Sequence, residues 1–496
     1  MKRISLIIFT LTLLFATGCE GFLSERPTRS TNDPIERFEQ LDVLLNTTTM
    51  PNDIQSRFCT DDTEIPFDLF DARPTSFSVA TMCYYTYDME LIENLASDPY
   101  WQSMWAMVLN TNMVINYVDK VTGADEAEKA NLKAEAHFVR ALHVWELVNV
   151  YCMPYAEENF ETLGLPYRVG NSFEENLTRL TLKETYEWIE SDLQEALKVS
   201  GNHVQYKFRP TKASINAFLS RYYLFIGDYD KAATAADYAL SNMGDNVKLK
   251  NYNEIVAGTP TNYSNPTASI DYPEWNNFST AQIYSWQEFF FLRLTYCSGQ
   301  WFIPSQNLLD MFSATGKQDM RFKWFFLENA NRRFSIVDVH AYRFHHFSDG
   351  RYIMSGPTVQ EVMLNKAEAL VRKSSADISG AIQLVNNLRA NRIDPSYQNI
   401  TVSASTKDAA LKVVLDERRR ELPFAHRWWD IRRFAYNETA SDDISITRNF
   451  YVIENGVWNT SKTETYTLPL KSKKYAIPLN GVELDSAEGV LKQNEY

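Results

Sequence analysis

The chain has 496 residues, and at roughly 150 residues per domain this length allows one large domain or about three smaller ones. Lys and Arg number 49 against 63 Asp and Glu, so the formal net charge of -14 argues against binding to nucleic-acid phosphates. The 17 glycines are about half of the usual share of roughly 7%, which favours helix-rich structure over Gly-rich phosphate loops. Aromatic residues make up 14% of the chain, and so many rings must fill a large core or line a surface.

The N-terminus has the pattern of a secretory signal. Lys2 and Arg3 precede an apolar run over residues 4–15, and small residues then lead to Cys19. The run is shorter than the roughly 20 residues that a membrane-spanning helix needs. We therefore expect residues 1–18 to be a lipoprotein signal peptide and Cys19 to carry a lipid anchor. The alternative is an ordinary secretory signal in which Cys19 is incidental.

The remaining cysteines are Cys59, Cys83, Cys152 and Cys297. They form no C-x-x-C pair, so the sequence supports neither a zinc knuckle nor a redox motif. In an exported protein two of them could form a disulfide, and the sequence does not say which two. The simpler interpretation is that all four are small buried residues.

Helical periodicity begins with a predicted helix pair at residues 101–120 and 131–149. The next helix is predicted at residues 181–197. It opens with Thr181 and Glu184, the spacing of a capping box, in which each side chain satisfies a free backbone N–H at the helix start.

The segment 213–240 has the clearest repeat signature. A turn at Gly227 separates two helical stretches, and the second has alanines at spacings that let antiparallel helices approach closely. The segment matches the tetratricopeptide pattern at most positions and departs from it at Asn216, where Trp is preferred. The alternative is that this pair and its weaker copies are unrelated helical hairpins; either way, stacked helix pairs form a rigid scaffold.

The C-terminal half alternates between helical and irregular stretches. Residues 358–373, which open with a second possible capping box at Thr358 and Glu361, are predicted to pair with residues 379–392. Residues 405–434 predict a long helical stretch that Pro423 breaks after Leu422. By contrast, residues 243–357 and 440–480 show little helical period and predict long excursions with short strands.

Motifs for catalysis are missing from the sequence. It contains no G-x-G-x-x-G, Walker A, H-E-x-x-H, G-x-S-x-G or EF-hand pattern. His137 and His143 lie six residues apart on one predicted helix and face different directions, and His345 and His346 have no partner at ligand spacing. The sequence therefore predicts neither an enzyme nor a resident cofactor, and leaves open whether a calcium ion supports a loop.

The strongest charge run contains Arg418–Arg420, Arg427, Arg432 and Arg433. Acidic residues are interleaved with it, namely Glu417, Glu421 and Asp430. This interleaving predicts ion pairs within the protein rather than a nucleic-acid interface.

Aromatic residues concentrate in two stretches. Residues 271–302 contain eleven rings, and three tyrosines lie within residues 84–87, where we expect no helix. Tyr and Trp offer flat apolar faces with a polar edge, and sugar rings present a matching C–H face surrounded by hydroxyls. On exposed loops such rings form a recognition surface. The alternative is that they fill the core, which we favour for Phe289–Phe291.

Six blocks along the chain have recognisable patterns. The first four blocks are, in order, CEGFLSERPTRST, WQSMWAMVLNTNMVINYVDKV, AEAHFVRALHVWELVNVYCMPY and RPTKASINAFLSRYYLFIGDYDKA. The fifth block consists of three successive segments, TVQEVMLNKAEAL, AIQLVNNLRANR and ERRRELPFAHRWWDIRRF. The sixth is the closing segment AIPLNGVELDSAEGVLKQNEY. Together they resemble the SusD/RagB family of surface lipoproteins of Bacteroidota. PFAHRWWD lacks the Glu-Gly that precedes the Arg in many members, and the end is shortened, which suggests a distinct subfamily.

The resemblance implies a mostly α fold. A SusD-like α/α superhelix of tetratricopeptide-like helical hairpins would carry long irregular insertions and short β-strands. Residues 19–496 would form one SusD-like domain. Its helical units would lie at about 101–150, 181–241, 358–392 and 405–434, and its ligand-face insertions at about 50–100 and 243–357.

The resemblance also implies a function. Such proteins are lipid-anchored at the surface of the outer membrane, cover a SusC-type TonB-dependent transporter and capture oligosaccharides for it, without catalysis and without a cofactor. Peptide capture on the same scaffold, an exported enzyme and a structural lid without a ligand site are the alternatives.

We expect the ligand to stack on aromatic loop residues and to contact polar neighbours. The expected stacking residues are Tyr84, Tyr85, Tyr87, Trp275, Trp286, Tyr296 and Trp301. Asp62 and Arg321 are the polar candidates, although Arg321 has a simpler possible partner in Asp319.

Overall fold

The computed structural model describes residues 34–172, 175, 177–201, 206–258, 272–297, 302–328, 342–345 and 347–496. Cys19, the predicted signal peptide, Trp301 and His346 lie outside the described residues. Within the ranges that are described, no helix is long and apolar enough to cross a membrane.

Long helices form the scaffold, as the mostly α prediction requires. In the described part of the chain those of eight residues or more are α6 (Pro99–Tyr117), α7 (Glu126–Tyr151), α8 (Leu182–Ala196), α9 (Lys212–Phe225), α10 (Tyr229–Ser241), α15 (Val359–Arg372), α16 (Ile378–Ala390), α17 (Lys407–Glu421) and α18 (Arg427–Phe434). Helix α6 packs on α7, α9 on α10 and α15 on α16, so the predicted pairs are hairpins. Contacts of α7 with α8, α10 with α15 and α15 with α17 join the hairpins into one stack.

Shorter helices lie between these or in the insertions. They are α1 (Phe38–Asp42), α2 (Ile54–Phe58), α3 (Phe67–Ala72), α4 (Val79–Tyr85), α5 (Met89–Glu93), α11 (Thr280–Tyr284), α12 (Gln306–Asp310), α13 (Met320–Phe325), α14 (Phe347–Arg351) and α19 (Gly481–Ser486). Single 3-10 turns occupy Val43–Leu45, Pro74–Ser76, Val118–Lys120, Glu157–Asn159, Tyr252–Glu254, Glu274–Asn277, Gly316–Gln318, Ala440–Asp442 and Lys473–Tyr475.

In the described ranges the strands form four small sheets, and all strands but β8 and β9 have four residues or fewer. They are β1 (Thr49–Met50), β2 (Leu163–Pro166), β3 (Arg179–Thr181), β4 (Leu294–Tyr296), β5 (Phe326–Glu328), β6 (Tyr342–Phe344), β7 (Tyr352–Met354), β8 (Ile446–Glu454) and β9 (Val457–Leu468). Strand β4 lies between β1, which is parallel to it, and β7, which is antiparallel. The other strands pair as β2 with β3, β5 with β6 and β8 with β9.

The hairpin of β8 and β9 is longer than the short strands expected for residues 440–480. Side chains of β8 alternate between buried and exposed from Ile446 to Phe450, which is the pattern of a half-buried strand. Asn455 and Gly456 both have positive φ at the turn, as an Asn-Gly hairpin turn requires. The Asn-Gly dipeptide was the sequence signal for this hairpin.

Local signals for helix ends were partly correct. Thr181 and Glu184 form the predicted capping box, and α17 ends at Glu421 ahead of Pro423. The capping box predicted at Thr358 is wrong, because the Thr358 side chain makes no capping hydrogen bond. Glu361 instead accepts hydrogen bonds from Arg221 on α9, at 2.6 and 2.7 Å.

The C-terminal residues close the structure against the first long hairpin. The Asn494 side-chain amide donates to the carbonyls of Tyr151, at 3.0 Å, and of Ile477, at 2.9 Å. Gln493 exchanges two hydrogen bonds with the backbone of Leu479. The end of the chain is therefore bonded to the last residue of α7.

Candidate functional site

The tyrosines of residues 84–87 belong to the core, which corrects the expectation of a loop with exposed rings. Tyr84 and Tyr85 complete α4, and Tyr87 follows it. All three side chains are buried. The hydroxyl of Tyr87 donates to the Cys59 carbonyl at 2.9 Å, and the Arg448 guanidinium lies over the Tyr85 ring at 4.0 Å from its centroid. Burial raises the pKa of Tyr85 above its ordinary value. None of these rings offers a face to a ligand in this structure.

Trp275 and Trp286 are also buried, so the expectation of exposed stacking rings is wrong for them as well. Trp275 is 0% exposed and lies at 4.9 Å from Phe325, centroid to centroid. The Trp286 indole donates to Glu288 at 3.2 Å. The long insertion has an apolar core of its own, and these two rings fill it. Phe289–Phe291 are buried too, as we expected.

The two polar candidates are scaffold residues. Asp62 accepts hydrogen bonds from Arg419, at 2.8 Å, and from the Phe424 amide, at 3.0 Å. Arg321 donates to Asp319 and also to Glu417, at 2.7 Å. Both side chains are buried and fully occupied by these partners, so the simpler alternative for Arg321 is confirmed.

The arginine cluster makes the ion pairs that its sequence predicts. Arg418 pairs with Asp430 at 2.7 Å, and Arg433 bonds to Glu368 and Asp430. Further pairs are Arg419 with Asp61 and Asp62, Arg420 with Glu417, and Arg427 with Asp61. Arg432 donates instead to the backbone carbonyls of Asn149 and Cys152.

Tyr296 is the one described stacking candidate that is exposed, at 42%. It ends β4 and stands opposite Tyr352 of β7, with ring centroids 5.6 Å apart. The pair forms an aromatic patch at the end of the three-stranded sheet.

A second aromatic patch consists of Tyr206, Phe208 and Tyr284, and we call these three residues the ring platform. The rings of Tyr206 and Phe208 stack in parallel at 5.1 Å, and Tyr284 meets Phe208 edge to face at 5.9 Å. Tyr206 is 50% exposed and Tyr284 is 37% exposed. The sequence analysis did not single out Tyr206 and Phe208, because they are only two rings in a polar segment. The available signal was their position, two residues apart and directly before Arg209-Pro210.

Thr48 connects the ring platform to the sheet that carries Tyr296. Its hydroxyl lies 3.3 Å from the hydroxyl of Tyr284. Its carbonyl accepts a hydrogen bond from the Leu294 amide of β4 at 2.9 Å. Thr48 therefore links the ring platform to the sheet that carries Tyr296.

Two cations beside the ring platform, Arg209 and Lys207, are bonded to other groups of the protein. Arg209 donates to Asp42, at 2.7 Å, and to Glu135, at 2.6 Å. The Lys207 ammonium donates to the carbonyl of Trp286. The hydroxyls of Thr48 and Tyr284, which are neutral, lie at the same rings. This arrangement suits a ligand with apolar C–H faces and uncharged hydroxyl groups.

Cavities also lie away from the two aromatic patches. A cavity of about 50 Å³ beside β7 is lined by rings such as Phe344 and by Gln360 and His426, and a space of this size holds a few water molecules. A groove of about 880 Å³ between α12 and α17 has charged residues such as Asp416 and Arg419 in its lining, and its one lining ring, Phe434, is buried. A third space of about 810 Å³, at the start of α10, has two tyrosines among many charged lining residues. In the part of the chain that is described, no group of three or more His, Cys, Asp or Glu residues is placed to hold a metal ion.

Two family models match the chain. Residues 22–224 match a model described as SusD-like, starch-binding associating with outer membrane, and residues 360–496 match the SusD family model. The SusD-like protein P2 of Formosa agariphila is 24% identical over 438 residues, which cover 80% of this chain and 79% of that protein.

Solved structures share the fold. A SusD superfamily protein from Bacteroides thetaiotaomicron superposes with a TM-score of 0.64 at 19% identity, covering 93% of this chain and 100% of that one. A putative sugar binding protein from Bacteroides vulgatus also superposes with a TM-score of 0.64, at 20% identity, covering 93% of this chain and 99% of that one. Surface glycan-binding protein A from Bacteroides uniformis reaches 0.61 at 15% identity, with 92% and 98% covered. The scaffold, both family matches and these shared folds agree that the chain belongs to the SusD/RagB family.

Proposed function

We propose that the protein binds neutral oligosaccharides at the cell surface and delivers them to a SusC-type TonB-dependent transporter. The observation that carries the proposal is the pair of aromatic patches with exposed tyrosines, the ring platform and Tyr296 with Tyr352, which Thr48 links. Sugar rings stack on such faces through their C–H groups. Family membership and the sugar-binding and glycan-binding names of two structural relatives support the same ligand class.

The neutral character of the ligand follows from the charges around the rings. Arg209 and Lys207 are occupied by partners within the protein, and Arg293, which contacts Phe208, is 0% exposed, so none of these three cations is offered to a carboxylate or sulfate group of a ligand. The overall charge of -14 adds a general repulsion of acidic glycans. Without a charged contact the affinity should change little with salt.

Binding by residues 20–496 is measured by calorimetry against neutral and uronic-acid oligosaccharides and against peptides. We expect hits among neutral glycans, unchanged by EDTA and without hydrolysis products. Binding to Tyr206→Ala and Tyr284→Ala should be weakened about tenfold, since one stacked ring contributes on the order of 1 kcal/mol or more. Binding of peptides alone would replace this proposal by the peptide-binding alternative.

Two exposed tyrosines outside both aromatic patches, one after β2 and one in α10, serve as matched controls. Tyr167 is 50% exposed, like Tyr206, and Tyr238 is 36% exposed, like Tyr284. Tyr167→Ala and Tyr238→Ala should bind as wild type does. Equal losses in the controls and in the platform variants would contradict a site on the ring platform.

We also propose that Cys19 carries the lipid anchor, which rests on the N-terminal sequence. Full-length protein should label with palmitate and fractionate with outer membranes, together with a TonB-dependent barrel. Cys19→Ala should lose the label and the membrane association. Continued labelling of this variant would exclude the proposed anchor.

A further inference from the structure

In the sequence, a buried lysine, Lys207, lies between Tyr206 and Phe208, the two stacked rings of the ring platform. Residues 206–209 form a tight turn in which the Arg209 amide donates to the Tyr206 carbonyl at 3.0 Å. The rings of Tyr206 and Phe208 stack on each other, while Lys207 is only 6% exposed. The turn therefore exposes the Tyr206 ring, rests it on the partly buried Phe208 ring and buries the ammonium group of the lysine that lies between them in sequence.

Lys207 is held at both ends by the segment that carries Tyr284. Its ammonium donates to the Trp286 carbonyl at 2.7 Å, two residues after Tyr284. Its own carbonyl accepts a hydrogen bond from the Leu292 amide at 2.8 Å. The Phe208 carbonyl has a longer contact with Arg293, at 3.4 Å. Of these three hydrogen bonds between residues 207–208 and residues 286–293, the bond donated by the Lys207 ammonium is the shortest.

We propose that Lys207 is the positioning residue of the ring platform, holding the turn of residues 206–209 against Trp286 and so setting Phe208 against Tyr284. This inference rests on the proposed function, because the platform is its binding surface. An ammonium is required for a physical reason: a charged donor makes a stronger bond to a carbonyl than a neutral one does.

The surroundings of Lys207 bring its titration close to neutral pH. Burial lowers the pKa of Lys207 to about 8, and the Glu288 carboxylate opposes this shift. Glu288 itself pairs with Arg392 at 2.8 Å. On the neighbouring segments, Lys250 lies over the Trp286 ring and within 3.8 Å of Glu274, and Arg293 contacts Phe208. Loss of the Lys207 proton should therefore loosen the platform at mildly alkaline pH.

The first test is the pH dependence of glycan affinity between pH 6.5 and 9. We expect wild-type affinity to weaken about two- to fivefold around pH 8, as a charged hydrogen bond becomes a neutral one. Lys207→Met should bind about tenfold more weakly at neutral pH and show no such change with pH. Lys207→Gln, which keeps a neutral donor, should have a glycan affinity between those of wild type and Lys207→Met. Wild-type affinity and pH profile in Lys207→Met would overturn the inference.

The second test needs no ligand, so it separates this inference from the proposed function. Hydrogen exchange of residues 206–215 and 287–297 is compared in wild type, Lys207→Met and Lys248→Met. Lys248 is an exposed lysine whose amide donates to the Gln287 carbonyl, next to Trp286, and it serves as the control. We expect faster exchange at Leu292 in Lys207→Met alone. Equal exchange in all three proteins would overturn the positioning role even if glycans bind, and faster exchange without any glycan binding would overturn the proposed function alone.

Discussion

Arg221 and Glu361 form a bidentate ion pair between two of the helix hairpins. Nε of Arg221 donates to one carboxylate oxygen at 2.6 Å, and Nη2 donates to the other at 2.7 Å. The two side chains are 0% and 1% exposed. Nη2 of Arg221 also donates to the Ser355 carbonyl at 3.1 Å, in the segment that follows β7. One guanidinium thus joins α9, α15 and the segment that follows β7.

Removing one member of this pair should destabilise the protein strongly. Arg221→Met leaves the Glu361 carboxylate buried without its cation, and we expect the free energy of unfolding to fall by about 3–5 kcal/mol. Urea denaturation measures the loss. The exposed pair of Lys412 and Asp416, at 2.8 Å, provides the control, since Lys412→Met should cost less than about 1 kcal/mol. A loss in Arg221→Met no larger than in the control would contradict this prediction.

Glu146 should make stability depend on pH. Burial raises the pKa of Glu146 from 4.5 to about 7, and Arg221 opposes the shift. The folded protein therefore holds a proton that the unfolded chain releases, so stability is greatest below pH 4.5 for this group and falls as the pH rises towards 7. We expect this group to lower the free energy of unfolding by about 3 kcal/mol over that pH range. Urea denaturation of wild type and Glu146→Gln from pH 4.5 to 8 should show a smaller decline in the variant, and parallel curves would refute the assignment.

Gly356 has no room for a side chain. A Cβ at this position would collide with the Phe291 carbonyl oxygen and lie 2.8 Å from the Arg293 amide, just before β4. We expect Gly356→Ala to cost about 1–3 kcal/mol by overpacking and to weaken glycan binding by displacing Tyr296. Thermal denaturation and calorimetry check both effects. Gly201→Ala is the control because nothing lies within 4 Å of its added Cβ, and equal effects in the two variants would argue against the steric explanation.

The four described cysteines should be thiols that do not react in the folded protein. All are free and buried, and burial raises the pKa of Cys83 and of Cys297 to about 12. Ellman's reagent should titrate no thiol in native residues 20–496 and four in denaturant. Two thiols in denaturant would instead indicate a disulfide.

Much of the scaffold could be predicted because its signals are local. The capping box at Thr181 and the break before Pro423 depend on residues within one turn of helix, and both are present. The second capping box failed because a partner distant in sequence, Arg221, binds Glu361. Local spacing cannot reveal a competing tertiary contact.

The aromatic site was predicted poorly for a related reason. The density of rings at residues 271–302 signals a cluster, yet it does not distinguish a core from a surface. Trp275 and Trp286 fill the core of the insertion, while Tyr284 and Tyr296 from the same stretch are exposed. Tyr206 joins them from a turn far away in sequence, and its contact with Phe208 becomes visible only in three dimensions.

The bonds of Asn494 to Tyr151 and Ile477 have a consequence for the timing of folding. Tyr151 and Asn494 are 343 residues apart in the chain, so the bond between them closes a very long loop. Closing such a loop costs more chain entropy than forming a contact within a helix hairpin. We therefore expect this bond to form late in folding, after the local hairpins.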